Sequence, residues 1–123
     1  MVRIGSVVLG VSDVSRAAAF WAAALGYAPR EEATEDWVVL VPRDGGGGVQ
    51  VALGRSETPV QEEPRVHLDL YAGSAAEQSA EIDRLVGLGA QRVAWERYPE
   101  DPDFVVLADT EGNRFCVIDT AHS

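Results

Sequence analysis

Residues 6–13 read SVVLGVSD, and residues 67–74 read HLDLYAGS. Each is a short alternating run that ends on a helix-capping residue, Asp13 in the first and Ser74 in the second. A helical pattern follows in both places. Val14, Ala17, Ala18, Trp21, Ala24 and Leu25 recur at helical spacing after Asp13, and Ala75, Ser79, Ile82, Leu85 and Val86 do so after Ser74. Glu77 stands three residues beyond Ser74, the spacing of a capping box. Gly26 and Gly89 supply the C-terminal stops. A chain that opens twice in the same way is built from a repeated unit.

The echo continues downstream. WVVLVPRDGGGGVQVAL (37–53) parallels FVVLADTEGNRFCVI (104–118), each a strand, a glycine-containing turn and a second strand. The offset between the halves is 61 residues at the openings and 67 at these hairpins. Weaker strands fill the remaining places, near 27–32 and 90–97. The expected organisation is one domain, 1–123, of two βαβββ modules. Module one spans 1–54, a polar, proline-containing linker spans 55–64, and module two spans 65–120. Strand alternation assigns faces. Val7, Leu9 and Val11 pack on a helix and leave Ser6, Val8 and Gly10 opposite. Val66, Leu68 and Leu70 do the same and leave His67, Asp69 and Tyr71 opposite. Val49, Val51 and Leu53 oppose Gln50 and Ala52, and Phe115 and Val117 oppose Cys116 and Ile118.

Composition narrows the function classes. The chain has 123 residues and a formal net charge of −10, and its ten basic residues are all arginine. Nucleic-acid binding needs clustered positive charge and is not expected. The acidic runs, EEATED (31–36) among them, read as solvated loops. The first apolar run, from Ile4 to Val11, is too short to span a bilayer and lacks a signal-peptide cleavage site, so no membrane association is expected. A single cysteine makes no internal disulfide and favours a reducing compartment. The chain reads as soluble and cytoplasmic.

The paired modules, the closing hairpin DTEGNRFCVID (109–119), and the pieces RVHLDLYA and AAFWAAALGY resemble the vicinal oxygen chelate superfamily. This is the glyoxalase/bleomycin resistance/dioxygenase group, and the closer likeness is to its glyoxalase-like domains. The resemblance covers almost the whole chain. It implies an α+β fold in which the modules form a cup-shaped, eight-stranded mixed sheet with helices on the outer face. It also implies a homodimer. Metal-dependent members place His, Gln or Glu ligands on the first and last strand of each module, so that a divalent metal meets a chelating substrate. Carried onto this chain, those positions are Ser6, Gln50, His67 and Cys116. Only His67 matches well. Cys116 stands where the family pattern D-x-x-G-N-x-[apolar]-E has its carboxylate.

The resemblance and the residues together yield one leading expectation: a small-molecule-binding protein with a degenerate metal site and no cofactor, although a divalent metal stays open. The first alternative is a metal-free lyase, isomerase or cyclase that uses His67 and Asp69. On one strand face at spacing i, i+2, these lie about 7 Å apart and suit proton transfer. Cys116 is its tentative third member; on its own it reads as a small buried apolar side chain. The second alternative is a divalent-metal lyase or dioxygenase with an altered ligand set, in which Cys116 and His67 hold zinc with help from Gln50 and Asp69 or water. The expected ligand-binding residues are Ser6, Val8, Gln50, Tyr71, Trp37, Trp95 and Tyr98, the last two next to the rim loop YPEDPDF (98–104). GGGG (45–48) reads as a hairpin turn, because no helix follows it to cradle a phosphate. Arg114 reads as an exposed arginine on a terminal strand rather than as an anion clamp.

Overall fold

In the computed structural model, which describes all 123 residues, both alternating runs become strands that feed helices. Strand β1 (Ser6–Val11) leads into helix α1 (Val14–Leu25), and β2 (Tyr27–Pro29), β3 (Trp37–Pro42) and β4 (Gln50–Arg55) follow. The second series is β5 (Asp69–Ala72), α2 (Ala75–Leu88), β6 (Gln91–Arg92), β7 (Phe104–Ala108) and β8 (Arg114–Asp119). The chain divides into two compact units, Met1–Pro59 and Val60–Ser123, and each is a βαβββ module. The fold class is α+β. No helix is long and apolar enough to cross a membrane.

The sheets share one topology. The strand orders are β1-β4-β3-β2 and β5-β8-β7-β6, with the first pair in each parallel and the rest antiparallel. A parallel pair needs a crossover, and the helix supplies it while covering one sheet face. Helix α1 packs on β2, β3 and β4, and α2 packs on β5 and β8. Val14, Ala17, Phe20 and Trp21 are the buried face of α1, and Ile82 and Leu85 are that of α2. The rings of Phe20 and Trp21 meet edge to face at 5.0 Å, a favoured aromatic geometry.

The caps act as the sequence implies. Asp13 accepts the amide of Arg16, and Ser74 accepts the amide of Glu77. The Glu77 carboxylate reaches back one residue further than a standard capping box, to the Gly73 amide at 2.8 Å. The two hairpin turns differ more. In the first, Asp44 accepts only the Gly46 amide, and both are exposed. In the second, Asp109 is buried, and one carboxylate oxygen accepts both the Glu111 and the Asn113 amides. Gly112 completes that turn at φ 88°, a left-handed conformation that costs a side-chain-bearing residue energy.

Several strand expectations need correction. Regular pairing in β5 begins at Asp69 and not His67, although the Cys116 amide still reaches the Leu68 carbonyl. Val66, read as facing the helix, is 81% exposed, because the segment beside Pro64 bends before the ladder starts. Val49 likewise precedes β4 and is exposed, and Val86 lies at the margin of the buried helix face. Strand β2 stops at Pro29, before a local turn in which the Thr34 hydroxyl accepts the amides of Asp36 and Trp37. Strand β6 spans two residues instead of eight. Its place beside β7 is taken by Tyr98, whose hydroxyl accepts the Val106 amide at 2.8 Å.

Candidate ligand site in the second unit

Alternation along three neighbouring strands of the second unit builds one wall of a cavity of about 640 Å³. Asp69 and Tyr71 come from β5, Cys116 and Ile118 from β8, and Phe104 and Val106 from β7. His67, just before β5, and Trp95, after β6, complete the wall. The volume lies in the range of small-molecule sites. Of the residues singled out in the sequence, His67, Asp69, Cys116, Tyr71 and Trp95 are therefore brought together. Tyr98 is not on the wall. Its hydroxyl serves the β7 backbone, and its ring packs on Phe104 with centroids 5.2 Å apart.

At the centre of the wall, His67 Nε2 lies 3.0 Å from Asp69 Oδ1. Cys116 is the register partner of Asp69 across the parallel β5–β8 ladder. The donor atoms of His67, Asp69 and Cys116 all lie within 4.8 Å of one another. Burial, reinforced by the nearby Asp69 carboxylate, pushes the Cys116 thiol up to about 11. At neutral pH it is a protonated thiol. A nucleophile would need the opposite shift.

The first unit places its candidates differently. Ser6 and Gln50 are register partners at the open end of the β1–β4 ladder. The Gln50 side-chain oxygen accepts from Arg30 Nη1 at 3.1 Å and faces the Ser6 hydroxyl at 3.4 Å. Val8 follows on the same face and is 57% exposed. Trp37 opposes Gly54 across β3–β4, and its ring lies where a Gly54 side chain would stand, with an added Cβ only 3.2 Å away. A side chain there would push the indole aside by a few tenths of an ångström.

A match to the glyoxalase-like domain model extends over residues 6–118. The chain belongs to the glyoxalase-like domain family, within the vicinal oxygen chelate superfamily. A comparison with curated proteins finds no match. Solved structures share the fold at low identity. A glyoxalase-related enzyme from Fulvimarina pelagi is 17% identical with a TM-score of 0.72, over 98% of this chain and 89% of that one. A glyoxalase/bleomycin resistance protein/dioxygenase family enzyme from Burkholderia phytofirmans PsJN is 15% identical with a TM-score of 0.75, over 96% and 98%. A lactoylglutathione lyase from Agrobacterium tumefaciens is 20% identical with a TM-score of 0.66, over 98% and 95%.

The four metal positions of this family do not fit a metal here. Ser6 is a poor ligand, and the Gln50 oxygen already accepts from a guanidinium. Cys116 offers soft sulfur where a hard carboxylate belongs. Within the second unit, His67, Asp69 and Cys116 do form a donor set close enough to share one soft divalent cation. Asp69 is not among the four positions, so such a set would be this chain's own.

Sequence reasoning passed over Arg97, Phe104, Val106 and Glu63 as lining residues, and it underrated Arg114. Alternation along the hairpin strands could have found Phe104, Val106 and Arg114, since Arg114 is two residues from Cys116. The stacking of Arg114 on Trp95 has no sequence signal.

Proposed function

We propose that the protein binds a small organic ligand in the cavity of its second unit, without the metal centre of its family. The observation that carries this reading is the cavity itself: about 640 Å³, walled by Tyr71, Trp95 and Phe104 around a few converging polar groups. The engaged Gln50 oxygen, and sulfur at Cys116 in place of a hard carboxylate, support the metal-free part. The proposed working form is a cytoplasmic homodimer.

A second reading has its own support. The 3.0 Å contact between His67 and Asp69 orients an imidazole at the cavity wall and leaves its other nitrogen for a substrate. That arrangement suits a metal-free lyase, isomerase or cyclase that moves a proton next to a carbonyl.

Native mass spectrometry of the protein from its own host tests both at once. The binding reading expects a metal-free dimer carrying an organic adduct. A stoichiometric divalent metal lost in His67→Ala or Cys116→Ser would overturn it. Once an adduct is identified, His67→Gln separates the two readings. A binder keeps its affinity within a few-fold, whereas an acid–base enzyme keeps affinity and loses about two to four orders of magnitude in turnover.

A further inference from the structure

We propose that the ligand is an organic anion, a flat molecule whose carboxylate is gripped by Arg114 at one end of the cavity; this rests on the small-molecule reading above. The inference comes from the charges on the cavity wall. Arg97 is neutralised by Glu63 at 2.8 Å, and His67 faces Asp69 at 3.0 Å. Arg114 has no carboxylate partner. Its guanidinium instead sits 5.7 Å over the Trp95 ring, and its Nη1 donates to the Glu62 carbonyl at 2.7 Å. Those two contacts hold the group in place and consume one nitrogen and one face. Nε and Nη2 stay available, which is the edge that matches a carboxylate with two parallel hydrogen bonds.

The one cavity carboxylate without a basic partner, Asp103, is at the other end of the hairpin. It precedes Phe104, which pairs with Ile118, while Arg114 pairs with Ala108. Four residues of strand separate those two pairs, roughly 14 Å. That exceeds the ~8 Å screening length of physiological salt, so Asp103 does not neutralise Arg114. The protein carries a net charge of −10, which repels an anion at long range. Arg114, with no carboxylate in contact, is the one point on the cavity wall that draws an anion against that field.

His67 reaches Asp69, the register partner of Cys116, and Cys116 stands two residues from Arg114 on the same strand face. The imidazole and the guanidinium line the same cavity. Trp95, Tyr71 and Phe104 supply the surface for a flat body.

The test is titration of the full-length protein with 1-naphthoate and with its neutral isostere 1-naphthamide, by calorimetry. Wild-type protein is expected to prefer the carboxylate by about tenfold or more. Arg114→Gln should erase that preference while leaving naphthamide affinity unchanged, which also reports an intact cavity. Arg114→Lys keeps the charge without the fork and should retain part of the preference. It serves as the test if Arg114→Gln does not fold. Arg43→Gln, an exposed change in the first unit, should alter nothing. Equal affinities for the two probes in wild type, or a preference that survives Arg114→Gln, would overturn the anion assignment and leave the cavity reading standing. No saturable binding of either probe would overturn both.

Discussion

The two units are the same fold with different chemistry at corresponding ladder positions. In the first, the parallel ladder begins with Ser6 opposite Gln50, and an arginine from the end of β2 closes over the pair. In the second, Asp69 stands opposite Cys116, and the preceding turn delivers His67 to the carboxylate. The registers agree, since Asp69 opposite Cys116 is the counterpart of Val8 opposite Ala52. A repeat preserved in topology and register thus carries its polar pair two rungs further along in the second unit. One unit uses them to satisfy one another, and the other points them into a cavity.

The hairpin turns offer the strongest way to break that comparison. Asp109→Ala removes a buried carboxylate that holds two amides and should destabilise the protein by roughly 3 kcal/mol. Asp44→Ala, the exposed counterpart, should cost less than about 0.5 kcal/mol. Denaturant titration of both variants compares them directly, and similar losses would mean that the second turn is no more tightly specified than the first.

The thiol sharpens the contrast through pH. With its pKa raised from 9.0 to about 11, Cys116 keeps its proton in the folded state over a range where the unfolded chain has lost it. Its contribution to stability is present below pH 9 and disappears as pH rises through 11. Disulfide exchange at pH 8 should run about a hundredfold slower than with an unhindered thiol, from thiolate fraction alone. Asp69→Asn should speed it, because the second cause of the shift is removed.

Metal exchange is a smaller effect on the proposed reading. Chelator treatment should leave ligand affinity unchanged, and cobalt should give no thiolate charge-transfer band. A band abolished by Cys116→Ser would assign the triad to a metal and make the second unit a metal centre of its own kind. The smallest expected difference lies at the helix starts. Asp13→Ala and Ser74→Ala should each cost about 1 kcal/mol, equal within error if the caps are equivalent.

The sequence carried the fold because its signals are local and doubled. Asp13 and Ser74, Gly26 and Gly89, and the two alternating hairpins each state the same unit twice. It failed where a backbone group is satisfied by a distant side chain. Nothing around residues 90–97 announces that Tyr98 will replace a strand partner of Val106. The His67–Asp69–Cys116 cluster was legible, since alternation and the family's closing motif place all three on one face. Alternation also places Arg114 on that face, but its lack of a carboxylate partner is visible only once the chain is folded. Gln50 shows the same limit, for Arg30 is 20 residues away in the chain.

The Tyr98 contact has a consequence for how the molecule avoids its own kind. A two-residue β6 leaves most of the outer margin of β7 without a neighbouring strand, and such a margin templates the addition of foreign strands. One phenol oxygen occupies the Val106 amide and lays the 98–104 loop against that margin. In deuterium exchange the Val106 amide should be protected as if it lay inside a ladder. Tyr98→Phe should release it and, at high concentration, turn a quiet edge into a sticky one.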